Sequence, residues 1–274
     1  MTESRVVAGI DGSPAAETAI RWAAAEAASR GTGLRLVHAF VWPEFPVPLG
    51  PSDMAPGLRA AADKIVRESV ELARKLEPGI EVAGTREDGF PSPVLIRASQ
   101  HADVVVIGSR GLGIALGALV GSTGLDLAAN AHCPVIVVRP DQPTYTGDHV
   151  LIGYDGSSPS SLALDFGLDY ASRHGLRVRV VAAQPVHSEQ HRATREELDA
   201  DVRGRPGGLN AEIIHIDGHP AEQLLRLSAD ARLIVLGSRG RGGFAGMLLG
   251  SVSQTVLHHA VCPVAVIPAA AIGG

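Results

Sequence analysis

The chain has 274 residues, 45% of them hydrophobic and only 4% aromatic, with a formal net charge of −5. That length favours two domains over one, and the mild acidity argues against a nucleic-acid surface. Two cysteines make no disulfide framework, no apolar run approaches the roughly 18 residues of a membrane helix, and the N-terminus lacks a signal pattern, so a cytoplasmic protein is expected.

In chain order, Val6 to Ile10 reads as a short apolar strand ended by Asp11-Gly12-Ser13. Ser13 is a helix cap with Pro14 at the first position, and the alanine-rich run Ala15 to Arg30 is a helix stopped by Gly31 or Gly33. Leu34 to Phe40 is a second strand. Pro43 to Pro56 carries five prolines and reads as a loop, followed by an amphipathic helix over Ala60 to Leu76. Ile80 to Arg86 is a weak strand, and Gly89-Phe90-Pro91-Ser92 opens a helix to about His101. Val104 to Ile107 is a buried strand, running into Gly108-Ser109-Arg110-Gly111. Nine residues later Gly121-Ser122-Thr123 starts a helix to about His132, and Cys133-Pro134 introduces a last strand, Val135 to Val138.

The proline-bearing segment Pro140 to Gly147 separates this unit from a second copy, giving domains over 1–143 and 147–274. Val150 to Ser157 repeats Val6 to Ser13, and Leu233-Ile234-Val235-Leu236-Gly237-Ser238-Arg239-Gly240 repeats the buried strand and its loop. Gly250-Ser251-Val252-Ser253 and Cys262-Pro263-Val264 follow at matching places. Asp11 and Asp155 are 144 residues apart but Gly108 and Gly237 only 129, so the second copy is 15 residues shorter between those points. The loss falls on the proline-rich loop and long helix, replaced by a charged segment from His187 to Gly208. Strand–helix alternation predicts parallel sheets whose ligand sits beyond the strand ends at a switch in strand order.

Each glycine-rich loop and helix start is a candidate phosphate cradle. Glycine permits positive φ and close backbone approach, and the first turn of a helix has unpaired amides. There is no Gly-Lys-Ser/Thr, so this is not a Walker loop. Phosphate charge would fall to amides, hydroxyls, Mg²⁺, or Arg110 and Arg239, which read equally well as solvated surface charges.

With these motifs the chain resembles a tandem universal stress protein, once per half. The glycine pattern is that family's ATP-binding signature, with the upstream Asp and the downstream Cys-Pro-Val in place. The resemblance implies two doubly wound five-stranded parallel-sheet domains of the adenine nucleotide alpha hydrolase-like kind, strand order 3-2-1-4-5, paired through their last strands. It places Gly9 and Asp11 at the ribose side, Ala39 at adenine, and Gly108, Ser109, Arg110, Gly111, Leu112, Gly113 and Ile114 in the phosphate loop. Gly121, Ser122 and Thr123 meet the terminal phosphates. The second-half set is Gly153, Asp155, Ala183, Gly237, Ser238, Arg239, Gly240, Arg241, Gly242, Gly243, Gly250, Ser251, Val252 and Ser253. Asp11 and Asp155 are the candidate Mg²⁺ contacts, through the nucleotide. Gly124 stands where the second half has Ser253, which removes a hydroxyl and weakens the first site's helix start.

The implied function is an ATP-loaded regulatory module of the stress response, with one adenine-nucleotide site per half and a protein partner or homodimer downstream. Neither nucleic acid nor membrane is an expected partner. No catalytic constellation is evident, so an ATPase or nucleotide-dependent transferase on the same fold is the alternative, and a protein-interaction module without nucleotide the third reading. His187 and His191 have helical metal-pair spacing but not the His-Glu-x-x-His order, so no zinc site is expected. Cys133 and Cys262, at opposite ends of an antiparallel strand pair, are expected to be buried, unreactive thiols.

Overall fold

The structure is a computed structural model and describes residues 6–42, 54–110, 120–140, 147–184, 195–217, 219–240 and 249–273. The first half runs β1 (Val6–Gly9), α1 (Pro14–Arg30), β2 (Leu34–Phe40), α2 (Met54–Leu76), β3 (Val82–Asp88), α3 (Pro91–Ser99), β4 (Val104–Gly108), α4 (Ser122–Asn130) and β5 (Val135–Val138). The second runs β6 (His149–Tyr154), α5 (Ser158–His174), β7 (Arg177–Gln184), α6 (Arg195–Gly204), β8 (Glu212–Asp217), α7 (Pro220–Leu227), β9 (Ala231–Gly237), α8 (Ser251–His259) and β10 (Val264–Ile267).

The strands form one ten-stranded sheet, ordered β3-β2-β1-β4-β5-β10-β9-β6-β7-β8. Within each half the pairing is parallel and the order is 3-2-1-4-5. The halves join through an antiparallel β5–β10 seam, in which Ile136 faces Ala265. β1 and β4 are neighbours, with Val6 beside Val104, so the ends of the first and fourth strands open on one crevice.

Local chemistry sets the boundaries. Ser13 Oγ accepts the Ala16 N–H at 3.1 Å, Pro14 follows it, and Gly31 closes α1 at φ 64°. The second half repeats the device with Ser157, Pro159 and Gly175, also at φ 64°. α2 begins at Met54, earlier than the prolines suggested. Pro56 falls in its first turn, where a missing N–H costs no helical hydrogen bond. In the second half its place is taken by α6, 10 residues against 23.

Apolar residues on the two sheet faces form two cores. One lies under α1, α2, α5 and α6, with Ile20, Leu36, Ile152 and Leu164 fully covered. The other lies under α3, α4, α7 and α8, with Leu127, Val135, Leu224 and Ile234. α1 and α5 meet across the pseudo-twofold, where Trp22 stacks on Tyr170 at 6.1 Å between ring centroids. Cys133 and Cys262 are buried free thiols, and burial pushes both up to about 12.

Candidate functional site

At the strand ends of the first half, a cavity of about 380 Å³ is lined by nine of the predicted residues: Gly9, Asp11, Ala39, Gly108, Ser109, Arg110, Gly121, Ser122 and Thr123. Gly111, Leu112, Gly113 and Ile114 lie outside the described residues, as do Arg241, Gly242 and Gly243 in the second half and both His187 and His191. The remaining walls are Ile10, Ala16, Val37, Pro91, Leu95, Ile107 and Gly124. Of these the sequence singles out Gly124 and Pro91, and it shows the others only as apolar positions within or beside strands and helices.

The described glycines of the site do not adopt positive φ. Among the described glycines, positive φ occurs at Gly12, Gly31, Gly89, Gly156, Gly175 and Gly207, and at none of the candidate site positions. A Cβ on Gly108 would lie 2.7 Å from the Ala15 carbonyl carbon, and one on Gly237 would lie 2.7 Å from that of Pro159. These two glycines therefore let the first turn of α1 or α5 press onto the end of a strand, which brings a helix start to the cavity rim.

Nor are all helix-start amides open. Gly121 N–H donates to Ser109 O at 3.0 Å, and Gly250 N–H to Ser238 O at 2.7 Å. These bonds tie each helix to its strand end. Neither α4 nor α8 has a side-chain cap, so the next amides, of Ser122 and Thr123 or of Ser251 and Val252, have no intrahelical acceptor. In the first half those amides belong to residues lining the cavity.

Asp11 Oδ1 accepts the Ser13 N–H at 3.0 Å, and Asp155 Oδ1 accepts both the N–H and the hydroxyl of Ser157, at 3.0 and 2.5 Å. Each aspartate thus shapes the turn between strand and helix, and Asp11 also lines the cavity. In the second half, a Cβ on Gly240 would lie 2.5 Å from Asp155 Oδ2, so loop and carboxylate are in close contact there. Gly153, the counterpart of Gly9, lies under Leu236 and Leu224. Ala183, next to last in β7, pairs with Ile216 of β8. Among the described residues no cluster of three His, Cys, Asp or Glu could hold a metal ion.

His38, which the sequence did not single out, is buried on β2 with Nδ1 2.8 Å from the Ile10 carbonyl. A carbonyl only accepts, so Nδ1 is the protonated nitrogen. This bond fixes the backbone entering Asp11.

Two halves with one pattern differ in hydroxyl chemistry. Ser238 Oγ accepts the Ala269 N–H at 3.0 Å. Its counterpart Ser109 is buried, and among the described residues its hydroxyl has no hydrogen-bond partner. Pro140, which has no N–H, stands in register with Ala269. Ser253 turns its hydroxyl inward to the Gly237 carbonyl at 2.7 Å. The serine-to-glycine difference at Gly124 therefore removes an internal hydrogen bond. A Cβ at Gly124 would also stand 2.8 Å from Val120 Cγ1.

This arrangement defines a doubly wound α/β protein with a cavity at the topological switch point. The sequence profile of the Universal stress protein family matches residues 3–139 and again 147–268, and the chain belongs to that family. It is 35% identical to the universal stress protein Rv2005c of Mycobacterium tuberculosis, over 95% of this chain and 96% of the relative. It is 34% identical to Rv2623 of the same organism, over 95% of each chain. The crystal structure of a universal stress protein from Archaeoglobus fulgidus superposes with a TM-score of 0.75 at 20% identity, covering 96% of both chains, and shares the fold. Among the described residues no helix is long and apolar enough to cross a membrane.

Proposed function

We propose that the chain is an ATP-binding regulatory module of the stress response, working in the cytoplasm through a protein partner that reads its nucleotide state. The observation that carries this reading is the convergence, in one cavity, of the α4 amides that have no intrahelical acceptor with a Ser109 hydroxyl that has no partner among the described residues. The volume lies in the range of small-ligand sites, roughly 300–1,000 Å³. Ser122 and Thr123 amides, at the positive end of the α4 dipole, suit a terminal phosphate. Ala39 and Leu95, both in the cavity wall, suit adenine, and Gly9 and Asp11 would meet the ribose. Mg²⁺ would be held mainly by the phosphates, with Asp11 as one carboxylate ligand. The same set in the second half, from Gly153 and Asp155 to Ser251, makes a second adenine-nucleotide site.

Titration calorimetry with ATP, ADP and AMP, with and without Mg²⁺, tests the reading. Saturable binding with mass-identified adenylate in the purified protein is the expected result. Failure to bind at millimolar adenylate overturns it, and rapid multiple turnover of ATP would favour the enzyme.

A further inference from the structure

Among the described residues, the exposed large apolar side chains of the first half gather beside the cavity. Val41, Trp42 and Phe90 are 39, 46 and 68% exposed. With Phe40, Arg59 and Asp88 they line an open groove of about 570 Å³. Ala39 and Pro91 line the cavity, and their chain neighbours Phe40 and Phe90 line the groove. Gly89 N–H donates to Phe40 O at 2.9 Å and ties the two walls together. The groove thus continues the row of strand ends outward, from β2 to β3, away from α4.

The fold does not need these aromatics. In register, the second half has Gln184, Val186 and His219 where the first has Phe40, Trp42 and Phe90. The groove's charges are also unequal. Arg86 lies 5.5 Å from the Phe40 ring centroid, and both Asp63 and Asp88 pair with it at 2.8 Å. Arg59 stands 5.5 Å from the Trp42 ring centroid, and no described carboxylate pairs with it. Exposed aromatic faces next to a guanidinium with no carboxylate partner among the described residues suit a ring that carries a negative charge.

We propose that this groove is a second ligand site, separate from the nucleotide cavity, for a planar aromatic anion. The ring packs on Trp42 and Phe90, and the anionic group meets Arg59. The proposal does not depend on nucleotide binding next door.

The chain's two tryptophans give the readout. Trp42 is in the groove, and Trp22, 8% exposed, serves as an internal control. Naphthalene-1-carboxylate is titrated into the ¹⁵N-labelled full chain, and both indole N–H signals are followed, with Trp42→Phe assigning them. The Trp42 signal should move saturably with a Kd of about a millimolar, and Trp22 should stay. Arg59→Gln and Phe90→Ala should each weaken binding about fivefold, with an unmoved Trp22 signal showing that the fold is intact. Naphthalene-1-methanol and cyclohexanecarboxylate, lacking the charge and the aromatic ring respectively, should bind more weakly. No saturable movement of Trp42, equal affinity in both variants, or equal binding of either analogue overturns the proposal.

Discussion

Arg173 of α5 donates to Glu26 of α1 at 3.0 Å, across the pseudo-twofold that relates the halves. Glu26 is 1% exposed and is also met by Arg30 at 2.6 Å and His174 at 3.2 Å. Burial by itself would raise its pKa, but the His174 hydrogen bond and the charges of Arg30 and Arg173 outweigh it and hold the carboxyl at about 2. A depressed folded pKa stabilises above the unfolded value and loses that stabilisation as pH falls through the folded one. Acid unfolding should therefore show a component between about pH 4.5 and 2 that is missing in Glu26→Gln. At neutral pH that variant should lose about 2–3 kcal/mol by chemical denaturation, below the roughly 3–5 of a fully buried broken pair, because its cationic partners keep some solvent contact.

Ser122 is the first residue of α4 and lines the cavity. Ser122→Asp places a carboxylate where the helix dipole welcomes it, so thermal stability should hold. The same charge should repel a nucleotide's phosphates, weakening ATP binding at least about tenfold by calorimetry. Ser251→Asp asks the same of the second half, and the two variants together separate the sites by stoichiometry.

Gly108→Ala would press a methyl group against the Ala15 backbone, and Gly237→Ala against that of Pro159. Backbone cannot swing aside as a side-chain tip can. Each variant should lose about 1–3 kcal/mol in denaturant titration even without ligand. A glycine needed only for ligand approach would show no such loss.

Cys133 and Cys262 should resist an aromatic disulfide reagent at pH 8 in the native protein and react fully in guanidinium. Their thiols are buried, and with pKa values of about 12 only a trace is thiolate. Fast native-state reaction of either would contradict the placement of the Cys-Pro turns.

The duplicated order of elements was legible because its signals are local: a Ser-Pro cap, a glycine stop, a buried apolar run. The first-half site was legible for the same reason, with nine named residues meeting in one cavity. What Gly108 does was hidden, because Ala15, the backbone it accommodates, is 93 positions earlier in the chain. The hydrogen bond from Ser253 to the Gly237 carbonyl was hidden too, because a backbone acceptor 16 residues earlier leaves no mark in the sequence. The Glu26 network joins side chains 147 and 148 residues apart, and no motif marks such a contact. The prolines hid the start of α2, since Pro56 breaks a helix only beyond its first turn.

The seam between Ile136 and Ala265 has one more consequence. Because both partners are on the same polypeptide, dilution cannot separate them, and their pairing owes nothing to protein concentration. Identical subunits must carry every substitution twice. Here each face of the dyad can change alone, which is how one half can carry both tryptophans and a proline opposite its loop serine while its twin has neither.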